Sequence, residues 1–395
     1  MQIMRKRNRL TALTLAGTAF VLGFFAPGPR AGEIMRLRCR WQSPNDTKLL
    51  DMTFIANPMV VMAPGANLEV TSEEPSGPNR VAILKEGVPF REDIRLVFTA
   101  PEKPGSYYMP LRITSNMGQR EAELCVLVPH KATAGKTGDG LMLRADGQQI
   151  GTYRHHSRSG NAKVKANPES YQPPAWWMRI TEMNASYEVV PGLRADDLVA
   201  VTEDTGLKHT DLVPVCYPMW QAIHTLRNAL QERKGIPGSA LKLISMFRAP
   251  PYNRAVGSNA FGRHIYGDAF DFYIDTEGDG KASDLNRDGK LDRRDAYEIV
   301  ALIEDLQAEK KLPMGGIGVY NSVAGDHVVT MHLDMRGHRA TWGYLYSASG
   351  KKSEFSWASK RFADLDKRDE QAAAARAAKE GRKYSPPRRE PLPGN

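Results

Sequence analysis

The sequence predicts two folded units of different class: an all-β, sandwich-like domain over residues 32–130, then an α+β domain over residues 167–359 with a small antiparallel sheet. Three observations predict this. Short β-favouring runs recur before residue 130, separated by Pro, Gly and Asn turns. Apolar residues at helical spacing appear twice in the second half. Two further segments there alternate apolar and polar residues, the signature of half-buried strands.

The β-rich runs are Thr53–Ile55, Val60–Met62, Leu68–Val70, Ile94–Phe98, Tyr107–Ile113 and Glu121–Val128. They carry no catalytic constellation, so the unit reads as a spacer or binding module. Residues 131–166, rich in Gly, Lys and polar groups, read as a linker. Pro218–Lys234 is expected as a helix with Trp220, Ile223, Leu226 and Leu230 on its buried stripe, stopped by Lys234-Gly235-Ile236-Pro237-Gly238. Leu241–Met246 reads as a strand. Ala296–Lys310 reads as a second helix burying Ile299, Leu302, Ile303 and Leu306. Residues 360–395 are charged and Pro-rich and read as a disordered tail.

The ends differ from the body in charge. The net charge is +9. Arg5, Lys6, Arg7 and Arg9 contribute four of these charges, and ten basic against six acidic residues from Lys360 to Asn395 contribute another four. The body therefore carries about +1, which argues against a nucleic-acid partner, whose basic patch would sit on the folded domain. The basic start precedes the apolar run Leu10–Phe25 and the Pro/Gly-rich Ala26–Gly32. Residues 1–31 are thus expected to be an export signal with its cut near Ala31, or an anchor if left uncleaved. The expected location is periplasmic or secreted, with membrane contact only through an uncleaved signal. Cys39, Cys125 and Cys216 are an odd set for an exported chain. Cys39 and Cys125 could bridge, or all three could be buried thiols.

Candidate metal ligands stand on the alternating segments. In Phe261–Asp271, His264 is followed by Gly267 and then by a run with Phe270, Phe272 and Ile274 on one face. Asp271 falls on the other. In Val328–Arg336, the apolar face holds Val329, Met331, Leu333 and Met335, and the opposite face holds Thr330, His332, Asp334 and Arg336. Two histidines and one carboxylate are a standard catalytic zinc set, with a fourth position for water.

Four motifs stand in order: Ser245-Met-Phe-Arg248-Ala-Pro-Pro-Tyr-Asn253, His264-x-x-Gly267-x-Ala269-x-Asp271, Gly315-Gly-Ile-Gly-Val-Tyr320 and His332-Leu-Asp334-Met-Arg336-Gly337. Over residues 167–345 the chain resembles the M15 peptidases, the zinc D-alanyl-D-alanine carboxypeptidases and related peptidoglycan peptidases. The resemblance implies that His264, Asp271 and His332 bind Zn2+, and that Arg248 stabilises charge on the substrate carbonyl. It implies peptidoglycan peptides as partners. Ser245 is expected to support Arg248 or the substrate, or to pack in its strand.

The sequence departs from the family pattern twice. Gly262 stands where members carry Ser, and Val329 where many carry the acidic general base. Asp334 is then the first candidate base, because it shares the face of His332; orienting a ligand or pairing with Arg336 is its other reading. His327 and Asp326 are further candidates. Trp342 and Tyr344 read as cleft-lining or core residues. The expected activity is a D-Ala-D-Ala carboxypeptidase, with a murein endopeptidase, a non-catalytic wall-binding protein and a calcium-dependent adhesion module as alternatives.

An insert at residues 284–295 has EF-hand loop spacing. Asp284, Asn286, Asp288, Asp292 and Asp295 occupy the oxygen positions, Lys290 the main-chain position, Gly289 the turn and Leu291 the hydrophobic position. Ca2+ is expected there, with the shorter Asp295 in the terminal place, as in dockerin-type loops. Asp275-Thr-Glu277-Gly-Asp279-Gly280 echoes the first half of the pattern.

Overall fold

A computed structural model describes residues 36–45, 49–55, 57–73, 79–116, 118–199, 210–320 and 329–343, with 371, 375, 378 and 379 besides. The expected signal, the tail apart from those four residues, Asp326, His327 and Tyr344 lie outside the described residues. The described chain is mixed α/β and strand-rich, with several small sheets, and its N-terminal region is mostly β.

The N-terminal strands are β1 (Leu37–Gln42), β2 (Leu49–Phe54), β3 (Met59–Val61), β4 (Asn67–Ser72), β5 (Arg80–Lys85), β6 (Val88–Asp93), β7 (Arg95–Thr99), β8 (Gly105–Ser115) and β9 (Gly118–Val128). They form two sheets, ordered β2-β1-β4-β7 and β3-β9-β8-β5-β6. In β1, Leu37, Cys39 and Trp41 enter the core while Arg38, Arg40 and Gln42 face out. This is the period of two that a half-buried strand requires. Strands β1, β5 and β6 were not among the expected runs. Cys39 and Cys125 are buried free thiols, so the bridge between them is not formed. Burial pushes both thiols up to about 12.

The N-terminal sheets pack against the second half of the chain. The Tyr217 hydroxyl accepts from Val61 N at 2.9 Å, and the Tyr217 ring meets Trp41 edge-on at 5.5 Å. One hydrophobic core runs from Leu37 to Leu333. Residues 131–166, expected as a linker, are folded. β10 (Thr133–Lys136), β11 (Gly140–Ala145) and β12 (Gln148–Arg154) form an antiparallel meander. Tyr153 anchors it: the ring is buried and its hydroxyl donates to Ile265 O at 2.7 Å.

The second half supplies α1 (Tyr217–Ala229), β13 (Leu241–Ser245), β14 (Ala269–Ile274), α2 (Arg293–Ala308), β15 (Gly316–Tyr320), β16 (Thr330–Asp334) and β17 (Ala340–Gly343). Helix α1 buries the stripe Trp220, Ile223 and Leu226. A π-helical turn, Leu230–Lys234, then runs into left-handed Gly235. Helix α2 buries Ile299, Leu302, Ile303 and Leu306, and starts from a capping box between Asp292 and Asp295. The five strands form one sheet, ordered β13-β14-β16-β15-β17, antiparallel except for the β15–β17 pair. Among the described residues no helix is long and apolar enough to cross a membrane.

Candidate metal centre

Register builds the site. Ser245 on β13 lies opposite Asp271 on β14, Asp271 opposite His332 on β16, and His332 opposite Gly318 on β15. Residues directly opposite in adjacent strands project to the same face. The sheet therefore carries Ser245, Asp271 and His332 in a row. The row ends at glycines for a steric reason. A Cβ on Gly318 would come within 2.6 Å of the Trp342 indole, and one on Gly316 within 2.5 Å. Trp342 thus lies across both glycines, with its ring centroid 5.0 Å from that of His332.

His264 arrives from outside the sheet on the 3-10 turn Arg263–Tyr266. Gly267 ends that turn with φ 75, and a Cβ there would strike Pro214 at 2.3 Å. Both the conformation and the space call for glycine. Arg263 is buried under the turn, donating to Ser170 O at 2.6 Å and pairing with Asp268. This pair was not singled out from the sequence, where the available signal was an arginine directly before His264. Gly262 also has a local reason: a Cβ would sit 3.0 Å from Asn259 O, so the serine expected by resemblance would need the loop to shift.

His264, Asp271 and His332 converge, with one ligand atom of each within 4.8 Å of the others. His264 Nε2 is 3.2 Å from His332 Nδ1 and 3.2 Å from an Asp271 oxygen. His332 Nδ1 is 2.7 Å from the other Asp271 oxygen. Four ligands at tetrahedral zinc distances would be about 3.3 Å apart, so a single ion fits this group with small adjustments. The remaining ring nitrogens are already engaged. His264 Nδ1 donates to Met246 O at 2.6 Å, and His332 Nε2 to Asp334 at 3.2 Å. Each bond fixes a ring so that its other nitrogen faces Asp271.

Electrostatics explains what holds three acceptors together. Burial lowers the His264 pKa, with Asp271 opposing. Burial also works against charge on His332, but Asp271 and Asp334 outweigh it and raise its pKa to about 9. Burial disfavours the Asp271 carboxylate too, yet the two histidines hold its pKa well below the usual range. Near neutrality the metal-free centre therefore keeps a proton on His332, between two carboxylates. A metal ion must displace it. Loading at pH 7 is expected to release about one proton per ion. The apparent affinity should strengthen as pH rises towards about 9 and then level off. Calorimetric titration in buffers of different ionisation heat measures this; zero net proton release at pH 7 would refute it.

Arg248 donates Nε–H to Ser245 Oγ at 2.8 Å and pairs with Asp271. Ser245 and Arg248 are thus brought to the centre. Asp334 is fully buried and touches the far side of the His332 ring. It also accepts from Gly316 N at 3.0 Å, Arg336 N at 3.1 Å and Arg336 Nε at 2.9 Å. The ring lies between it and Asp271, which favours Asp334 as the group that orients His332 over its reading as general base. Arg336 completes the layer with its guanidinium 4.8 Å from the Trp342 ring. Val329 is buried in the core, as its face requires.

The insert folds differently from the centre. Asp284 accepts from Gly289 N at 2.8 Å, Asn286 from Asp288 N at 2.9 Å, and Asp288 from Lys290 N at 2.9 Å and from Arg294. Asp292 and Asp295 close the capping box, and Asp295 also accepts from Leu285 N at 2.8 Å. Among the described residues, convergence to metal-binding distance is found at His264, Asp271 and His332. The loop carboxylates bond their own backbone instead. No protein-family model matches the chain, and no curated protein matches it.

Proposed function

We propose that this chain is a zinc peptidase that hydrolyses peptidoglycan stem peptides in the periplasm or outside the cell, foremost as a D-Ala-D-Ala carboxypeptidase. The observation that carries the reading is the convergence of two oriented imidazoles and one carboxylate beside an arginine. The order of the four motifs and their similarity to the M15 peptidases support zinc over other metals and stem peptides over other substrates. His264, Asp271 and His332 would hold the ion, which supplies Lewis acidity towards water and towards a peptide carbonyl. Met246 O and Asp334 keep the two rings turned to it. Arg248, steadied by Ser245, donates to the carbonyl oxygen as negative charge develops there. Trp342, half-buried in its layer over Gly316 and Gly318, would wall the substrate side.

Arg248→Ala is expected to lower kcat/KM by roughly 10²–10³-fold while metal content stays at the wild-type level. Metal analysis beside steady-state kinetics checks this. Full activity after zinc repletion would reduce Arg248 to a clamp on Asp271. The reading as a whole is tested by digesting purified peptidoglycan with the zinc-loaded protein and resolving the products by mass spectrometry. Released D-Ala marks a carboxypeptidase, and cut crosslinks mark a murein endopeptidase. Neither product from any muropeptide would defeat the enzyme reading.

A second reading has its own support. Val329 lies in the core and Asp334 on the wrong side of His332. A zinc-containing wall-binding protein without catalysis would show this arrangement. Calcium at residues 284–295 belongs to either reading as a structural ion. Its support is the residue spacing, together with the buried Asp295 that ties the loop to α2.

A further inference from the structure

Tyr320 stands at the end of β15, the strand next to His332. Ile317 and Val319 enter the core, so Gly316, Gly318 and Tyr320 share the opposite face. His332 pairs with Gly318, which makes Tyr320 its diagonal neighbour on the face that carries the metal ligands. Such diagonal pairs are about 7–8 Å apart, within reach of an aromatic side chain.

Trp342 fixes the Tyr320 hydroxyl. The indole Nε1 lies over Gly318, 2.6 Å from where a Cβ would stand, and donates to Tyr320 Oη. The same indole sits beside His332, with 5.0 Å between ring centroids. An indole N–H can only donate. The phenol oxygen is therefore the acceptor in this bond, and its own proton is left over. Among the described residues nothing accepts that proton. Burial pushes the Tyr320 pKa up, so the proton stays in place at neutral pH. The charges of Asp271, Arg248 and Arg336 all act on the phenol, as its place beside the centre requires. Tyr320 is 38% exposed, so the residue is open to a ligand.

A metal ion on the three ligands, with Arg248 beside it, would draw an anion to this face. An unspent O–H there serves an oxygen anion well and a sulfur anion poorly, because sulfur is a weak acceptor. We infer that Tyr320 is a ligand-contacting donor, whose O–H bonds an oxygen of an oxyanion seated at the metal centre. Under the peptidase reading that oxygen belongs to the attacked peptide carbonyl as it gains negative charge, and in this role the inference rests on that reading. As a donor to an oxyanion, Tyr320 needs only the three ligands and Arg248.

The test compares two anions on the zinc-loaded full chain by calorimetric titration. One is a phosphinate analogue of D-Ala-D-Ala, with two oxygens on its tetrahedral phosphorus. The other is a thiol analogue of the same length, which presents one sulfur in that place. Tyr320→Phe keeps the ring and removes the O–H. It is expected to weaken the phosphinate by roughly 10–100-fold and the thiol by less than about 2-fold. A tyrosine that merely steadies Trp342 would weaken both alike. Zinc analysis and thermal melting confirm that the variant is loaded and folded. Equal weakening of the two probes overturns the inference, as does an unweakened phosphinate, or a zinc-loaded wild type that binds no phosphinate. Selective weakening without any cut stem peptide sinks the peptidase reading and leaves Tyr320 as a ligand contact. Cut stem peptides beside an unweakened phosphinate remove Tyr320 alone.

Discussion

Replacing His264 by alanine is expected to abolish metal binding and hydrolysis together while leaving the fold intact. On the proposed function three ligands would hold the ion, and removing one leaves Asp271 and the single imidazole of His332. On the proposed function, hydrolysis should fall by on the order of 10³-fold or more, because the Lewis acid is lost with the ion. The protein loses little else. His264 packs in a turn, and losing its hydrogen bond to Met246 O together with its Nε2 contact to Asp271 at 3.2 Å costs on the order of 1–3 kcal/mol. His332→Ala should differ in a telling way. It also removes the imidazolium that separates Asp271 from Asp334, leaving buried negative charge with less compensation. Breaking a buried ion pair in this way costs about 3–5 kcal/mol. Metal analysis, thermal melting and peptide hydrolysis on both variants decide the matter. Wild-type zinc content in His264→Ala, or equal melting of the two variants, would sink the argument.

What could be read beforehand was whatever depends on periodicity. The alternation through Val328–Arg336 places His332 and Asp334 on one face and Val329 in the core, and the strands bear this out. The buried stripes of both helices follow equally from spacing. The meander was hidden because it is thinly apolar. Leu143, Ala145, Ile150 and Tyr153 are its buried residues, scattered among Gly, Lys and polar groups, and packing against the second half makes these strands form. β5 and β6 were hidden for a related reason: all of β6 is exposed, so it shows no inside face. The place of Asp334 lies beyond any one-dimensional pattern. A shared strand face places Asp334 near His332, but only the ring orientation decides which nitrogen it meets.

Asp334→Asn separates orientation from proton transfer. The change keeps the shape but leaves one acceptor oxygen where two now serve His332 Nε2, Gly316 N and Arg336. At least one donor then faces the amide NH2, and the His332 ring is held less firmly. The expected result is metal affinity lower by about 10–100-fold. Under the peptidase reading, kcat should return to within a few-fold (~3) of the wild type once zinc is saturating. A general base would behave otherwise: its loss lowers kcat by about 10²–10⁴-fold at any zinc concentration. Asp334→Ala is the harsher companion. It also strands the Arg336 guanidinium, whose side chain is 20% exposed, and should destabilise the fold by about 3–5 kcal/mol. Zinc titration of both affinity and kcat therefore reads the role directly. A kcat that recovers with zinc makes Asp334 a positioning residue for His332, and one that stays low restores it as the base despite its place behind the His332 ring.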